Sequence, residues 1–284
     1  MRSGGGSEAP ITLGHSPDPD DAFMHHAIAR GRIDTGGLRF EHVVEDIESL
    51  NRRALAGEID ETAISFHAYA FVADRYRLLR CGGAFGEGYG PVVVATRPLR
   101  VEDLPKVRVA VPGERTTAAL ALRLAAGPCE TVAVPFDRIV EALRRGEADA
   151  GVLIHEGQIT FAEEGLSKVL DLGAWWREET GLPLPLGGNA VRRDLGDLGE
   201  RIGDVLARSI RHALDHRAEA LEYALGFARG LAREKADRFV GMYVNEATVD
   251  FGDRGLRAIR ALYERAAAEG LLPAVDVDAI ASAR

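Results

Sequence analysis

The 284-residue sequence predicts an α/β fold of two lobes, with mainly parallel sheets and a hinged cleft between them. Three observations carry that reading. Short apolar runs alternate with segments of helical periodicity, as in βα units. The alternation restarts near Arg97-Pro98-Leu99. A Pro/Gly-rich stretch, Leu182-Pro183-Leu184-Pro185-Leu186-Gly187-Gly188, then offers a return crossing ahead of a long helical C-terminal part. Two crossings imply a discontinuous first lobe, residues 1–96 and 189–284, and an inserted second lobe, residues 97–188.

The elements follow in order. Ile11-Thr12-Leu13-Gly14 reads as a strand, and 20–30 as a helix stopped at Gly31. Leu38, Phe40 and His42 alternate along a second strand over 38–44, and a helix over 47–56 ends at Gly57. A short strand at 61–65 leads to a helix at about 67–76, and 91–96 is a strongly apolar strand. In the second set, strands are expected at 107–111, 131–134, 150–154 and 169–172, with helices at 116–126 and 137–145. From about residue 201 the chain is mostly helical, with breaks near Gly230, Asn245 and Gly270. The glycine-rich run at 82–90 reads as a flexible loop at the lobe crossing. It has no Gly-x-Gly-x-x-Gly opening a helix, so a dinucleotide cradle is not expected.

Hydrophobic residues at 46% and charged residues at 28% suit an ordinary soluble globule. A net charge of -9 argues against a partner recognised by its phosphate backbone, so no nucleic acid is expected. It leaves room for a small anion, because local donors matter more there than total charge. Cys81 and Cys129 stand far apart, as two reduced thiols rather than a disulfide frame or zinc ribbon. The lead-in at 1–10 lacks the apolar stretch of a secretory signal, and no run is long enough to span a membrane. A cytoplasmic location is the matching expectation. The apolar helix at 256–267 leaves open whether it covers its own lobe or a second copy in a homodimer.

In open parallel sheets, ligands sit at the carboxyl ends of strands, where helix N-termini offer free N–H groups to anions. Three strand-to-helix turns carry suitable hydroxyls: Ser16 before Pro17-Asp18-Pro19-Asp20-Asp21, Ser65 after Ala63-Ile64, and Thr116-Thr117 after Val111-Pro112-Gly113. Each could equally be a helix cap. A pair of threonines is more than one cap needs. His155 closes the apolar run Ala150-Gly151-Val152-Leu153-Ile154, and imidazole is suited to moving protons near neutral pH. The plain alternative is a hydrogen-bonded loop histidine. His25 and His26 are neighbours on one helix and cannot share a face, and His212 and His216 lie in a charged helix without a third ligand nearby. No metal site is expected.

Ser16-Pro17-Asp18-Pro19-Asp20-Asp21 is followed by Val44-Glu45-Asp46-Ile47-Glu48-Ser49-Leu50-Asn51 and by Val109-Ala110-Val111-Pro112-Gly113 with Thr116-Thr117. Gly151-Val152-Leu153-Ile154-His155-Glu156 comes next, then Asp171-Leu172-Gly173-Ala174-Trp175-Trp176 running on to Gly187. In this order they resemble the 1,4-dihydroxy-6-naphthoate synthase family of the futalosine route to menaquinone, over about residues 11–270. The resemblance implies a type 2 periplasmic-binding-protein-like fold used in the cytoplasm as an enzyme. It implies a carbon–carbon lyase that converts cyclic dehypoxanthine futalosine to 1,4-dihydroxy-6-naphthoate without an organic cofactor. It further implies that His155 accepts a proton and that Ala63, Ile64, Ser65, Thr116 and Thr117 contact the substrate. Asp18 and Asp20 stand where that family commonly has Cys and Asn. Two other readings remain open at this point: chorismate dehydratase of the same pathway, and a non-catalytic binding protein for a small anionic solute.

Overall fold

The computed structural model describes residues 9–277 and residue 280. The lead-in as far as Glu8, and the outer bounds 1 and 284 of the expected first lobe, lie outside the described residues. β1 (Ile11–His15) leads into α1 (Pro19–Ala29), β2 (Phe40–Val44), α2 (Ile47–Ala56), β3 (Glu61–Ser65), α3 (Phe66–Tyr69), β4 (Tyr76–Leu78) and β5 (Ala84–Gly86). Next come β6 (Val92–Ala95), β7 (Arg108–Val111), α4 (Thr117–Ala126), β8 (Glu130–Ala133) and α5 (Ile139–Arg144). β9 (Ala150–Leu153), α6 (Gly157–Thr160), β10 (Ser167–Asp171) and α7 (Leu172–Thr180) complete that part. β11 (Leu184–Arg192) then returns the chain to α8 (Asp197–Asp215), α9 (Arg217–Leu225), α10 (Arg233–Tyr243), α11 (Glu246–Val249) and α12 (Gly252–Ala268).

The strands form two sheets. One has the order β2-β1-β3-β11-β4, with β5 also paired to β11; the other is β10-β6-β9-β7-β8. The expected parallel βα units are the strands β2-β1-β3 and β8-β7-β9. Antiparallel pairing enters where the chain crosses between sheets, through β6 and β11. The crossings fall earlier than residues 97 and 188. The run Val92–Ala95, expected to end the first lobe, is buried on both faces and pairs with β9 and β10 in the second sheet. The Pro/Gly-rich return is itself strand β11, lying between β3 and β4 in the first sheet.

Side-chain chemistry sets several element ends. Asp46 caps α2 by accepting from the N–H groups of Glu48 and Ser49, and Gly57 ends it with left-handed backbone. Asp171 caps α7 in the same way, at 3.0 Å from the N–H groups of both Gly173 and Ala174. Two segments depart from the sequence reading. The helix expected over 67–76 stops at Tyr69, and β4 follows. The Tyr76 hydroxyl donates to the Ile59 carbonyl (2.7 Å), and the Leu78 N–H donates to the Tyr69 hydroxyl (3.3 Å), which fixes the turn between them. The glycine run at 82–90 is no loose loop, because β5 pairs with β11 inside it. Gly82 is needed there. Its backbone is left-handed (φ +75°), and an added Cβ would lie 2.1 Å from Nδ2 of Asn189, itself held by the Gly82 carbonyl at 3.0 Å.

α8 buries Ile202, Val205, Leu206, Ile210 and Ala213 at helical spacing, packing on α1 with Phe23, Ala22 and Met24. Each such large aliphatic side chain contributes about 1.5–3 kcal/mol on burial. α12 buries Leu256, Ile259, Leu262 and Tyr263 within the same chain. No helix among the described residues is long and apolar enough to cross a membrane.

One side of the interlobe seam is stitched by hydrogen bonds around the start of α4. The Arg115 N–H donates to Glu48 (3.2 Å), and Asn51 Nδ2 donates to the Arg115 carbonyl (3.4 Å). The His67 N–H donates to Thr117 Oγ1 (3.2 Å), and His67 Nδ1 donates to the Thr116 carbonyl (3.1 Å). Burial pulls the His67 imidazole down to about 4, the Thr116 carbonyl opposing it and Arg115 and Arg123 adding to it.

Two predictions follow from this packing. Gly82→Ala should cost about 2 kcal/mol or more in denaturant unfolding, from strained backbone and a displaced Asn189; a loss below about 0.5 kcal/mol would refute the steric argument. Neutral His67 contributes stability that is full above pH 6.5 and lost as pH falls through about 4. Relative to wild type, His67→Gln should therefore flatten the acid loss, by up to about 1.4 kcal/mol per pH unit in that window. Unfolding midpoints at pH 7.5, 5.5 and 4.5 measure it, and parallel curves for the two proteins would contradict it.

Candidate active site

One cavity gathers Ser16, Ala63, Ile64, Ser65, Thr116, Thr117 and His155 between the two sheets. It encloses about 120 Å³ for water-sized contents, and about 750 Å³ of empty space when its open mouth is included. Its walls are the carboxyl ends of β1, β3 and β9 and the N-terminus of α4. Asp18, Asp20, Asp21, Gln158 and Tyr243 also line it; the sequence marked Asp18 and Asp20 only as departures from the family pattern and gave none of the five a place in the site. The run of acids after Ser16 was their signal, taken there for an ordinary first helical turn.

The hydroxyls are more occupied than the sequence suggests. Thr116 Oγ1 donates to the Gly113 carbonyl (2.8 Å) and accepts from the Ala119 N–H (3.2 Å), so it is a full N-cap. Thr117 Oγ1 donates to the Leu186 carbonyl (2.5 Å) and accepts from His67. The second threonine joins β11 to α4 instead of offering a free hydroxyl. What this turn leaves for a ligand is the N–H groups of the first helical turn at Thr117 and Ala118, with the positive end of the helix dipole. Ser65 is different. Its N–H donates to Asn51 Oδ1 (3.0 Å) and its Oγ accepts from Asn51 Nδ2 (3.1 Å), which leaves the hydroxyl proton to donate. The 44–51 segment thus acts at the site through Asn51.

His155 lies just beyond β9, in left-handed backbone (φ 53°), unusual for a residue with a Cβ. Its ring packs edge-on against Phe136, with centroids 4.9 Å apart, and the side chain is 15% exposed, while Nε2 itself is buried. Nε2 lies 3.1 Å from Oδ2 of Asp18, an ion-pair distance. With its amide nitrogen on the Gly90 carbonyl (2.7 Å), Gln158 accepts from the His155 N–H (3.2 Å) and meets the Tyr243 hydroxyl. Asp18 stands at the N-cap position of α1 but makes no cap bond. Instead it is fully buried, and Ser16 Oγ donates to it.

Acids crowd the same wall. Burial pushes the Asp20 and Asp21 carboxyls above the usual carboxylate range, with Asp18 adding to both and Asp21 adding to Asp20. Asp20 Oδ1 is buried without a hydrogen-bond partner, and the Ser16 N–H donates to Asp21 Oδ2 (2.7 Å). Behind them, His15 and His25 stack at 4.6 Å, and His15 Nε2 sits 3.0 Å from His42 Nδ1. Burial pulls His15 down to about 4. His212 and His216 stack at 4.0 Å near the surface. Among the described residues no group of three or more His, Cys, Asp or Glu is arranged to hold a metal ion.

Comparison with known proteins matches these features. The family described as "Menaquinone biosynthesis" matches residues 11–268. A Thermus thermophilus protein named 1,4-dihydroxy-6-naphthoate synthase is 46% identical over 262 residues, covering 92% of this chain and 95% of that protein. A Streptomyces coelicolor protein of the same name is 41% identical, covering 95% of this chain and 98% of its own length. Among solved structures, protein AF1704 from Archaeoglobus fulgidus superposes with a TM-score of 0.89 at 50% identity, covering 94% of this chain and all of that one. The alkanesulfonate-binding protein SsuA from Xanthomonas axonopodis pv. citri superposes at 0.70 with 14% identity, covering 98% of this chain and 99% of its own, which shows the shared periplasmic-binding-protein-like fold. By sequence over nearly its whole length and by fold, the chain belongs to the 1,4-dihydroxy-6-naphthoate synthase family of menaquinone biosynthesis.

Proposed function

We propose that this chain is a cytoplasmic carbon–carbon lyase of the futalosine route, converting cyclic dehypoxanthine futalosine to 1,4-dihydroxy-6-naphthoate. The observation that carries the reading is that His155 lines the same cavity as the N-terminus of α4. The substrate carboxylate docks on the first amides of α4 and on the Ser65 hydroxyl. Both are donors fixed before the ligand arrives, so little ordering cost remains on binding. The apolar walls at Ala63, Ile64, Met24 and Leu186 take the ring system.

His155 removes a proton from the docked substrate. The electron pair left behind breaks a neighbouring carbon–carbon bond; the smaller fragment departs and regains the proton from His155, the retained part becomes an aromatic ring, and that gain in stability drives the reaction. The protein then needs to supply a base, donors for the anionic end and a dry site. General base catalysis of this kind is worth about 10²–10⁴-fold. The lobes part to admit the substrate and close around it.

The test is anaerobic incubation of pure protein with cyclic dehypoxanthine futalosine, read by mass spectrometry. His155→Asn is the paired variant, because Asn tolerates the left-handed backbone that His155 adopts. Wild type should form 1,4-dihydroxy-6-naphthoate, and the variant should lose about 10²–10⁴ in kcat while its affinity changes only a few-fold. Equal turnover by the variant would remove His155 from the reaction. Binding without product by wild type would turn the chain into a binder of that molecule.

A further inference from the structure

His155 and Arg229 are the non-glycine residues of the described chain with left-handed backbone, at φ 53° and 47°. They meet at one place. The Arg229 guanidinium grips Glu156, the neighbour of His155, through two bonds: Nε to Oε1 and Nη2 to Oε2, both 2.9 Å. The same group reaches the opposite wall, where Nη2 donates to Asp18 Oδ1 (2.5 Å) and Nη1 to the Pro17 carbonyl (2.8 Å). It also stacks 4.7 Å over the Phe136 ring, whose edge contact holds His155. Glu156, Phe136 and His155 come from the part of the chain that forms the second sheet. Asp18 precedes α1, and Arg229 lies between α9 and α10.

We propose that Arg229 is a positioning residue: a strut across the cleft that ties closure of the lobes to the placement of His155 against Asp18. This rests on His155 being the base. Three features support the strut. Strained backbone at both of its ends persists only where surrounding contacts hold it, and such strain collects at functional sites. A planar guanidinium satisfies a two-pronged carboxylate and a second acceptor at once, which a single ammonium does not. Asp18 is fully buried, so its charge needs a fixed cation, and Arg229 supplies it from one oxygen while the other serves Ser16 and His155. Parting of the lobes would break the Glu156 bonds and carry His155 away from Asp18 together. The nearby Lys235–Glu163 pair (2.6 Å) also spans the seam, but it touches none of these groups. It serves as the control for a plain surface ion pair.

The experiment compares Arg229→Gln, Arg229→Lys, Lys235→Gln and the double variant Asp18→Asn/Arg229→Gln with wild type. Each is read by kcat and KM on cyclic dehypoxanthine futalosine, and by amide hydrogen exchange over residues 155–161. Arg229→Gln should lower kcat by about tenfold or more, raise KM and speed exchange in that segment. Lysine should recover part of KM but not kcat, since it keeps the charge and loses the fork. Lys235→Gln should stay within about twofold of wild type in kcat. The double variant removes the Asp18 charge that loss of Arg229 would leave without its cation, and its kcat should stay low. Wild-type kcat and exchange in Arg229→Gln would overturn the proposal. So would an equal kcat loss in Lys235→Gln, full recovery by lysine, or recovery of kcat in the double variant, which would leave Arg229 a mere counter-charge. If wild type forms no product, the assigned reaction fails by itself. The strut is then judged by exchange alone: faster exchange in Arg229→Gln but not in Lys235→Gln upholds it, and any other pattern overturns it.

Discussion

The antiparallel pairing of β3 with β11 is the joint on which the rest of the molecule depends. It sets Gly187 opposite Ser65 and Gly188 opposite Ile64, so the returning strand lies directly behind the ligand-facing end of β3. From there the Leu186 carbonyl takes the hydroxyl proton of Thr117, which fixes the start of α4. One strand pairing therefore fixes a hydroxyl in one lobe and a helix N-terminus in the other at a set distance. The glycines of β11 permit it, since a Cβ on Gly187 would lie 3.0 Å from the Ile64 carbonyl.

The two sides of the cavity differ in character. Around α4 most contacts are hydrogen bonds between uncharged groups with little exposure: Asn51 to Ser65, His67 to Thr116, and Thr117 to Leu186. Around His155 they are charged and partly exposed, with Arg229 at 32% exposure between two carboxylates. Neutral bonds in a packed interior are costly to open, because each broken partner stays desolvated. Exposed ion pairs exchange more easily with water. The arrangement suits a cleft held firmly around the start of α4 and more loosely around His155.

The Trp175-Trp176 stretch, among the most family-specific in the sequence, turns out to be structural. Trp176 is fully buried and donates from its ring nitrogen to the Pro183 carbonyl (3.1 Å), while Trp175 stacks under Arg265 at 5.1 Å. It steers the chain into β11 without lining the cavity. A motif can thus mark a family by serving the joint and never touch the cavity.

Much was legible in the sequence because it depended on neighbours in the chain. Periodicity located α2 and β3, Gly57 marked the end of α2, and the turns at Ser16, Ser65 and Thr116 marked strand ends facing one cavity. The apolar run into His155 placed that side chain at the mouth of β9. Other features were set by partners distant in sequence. The Pro/Gly-rich return became a strand because β3, β4 and β5 supply its backbone partners, and the glycine run gained order from Asn189 and β11. The duties of the threonine hydroxyls were decided by Leu186 and His67, and the role of Asp18 by His155 and Arg229, which lie 137 and 211 residues away. Local propensity and capping act within a turn or two of chain, so sequence alone determined most of the elements and the turns that face the cleft. Hydrogen-bond and charge partners across the seam exist only once two lobes are folded against each other, and that is why tertiary structure decided what each of those residues does.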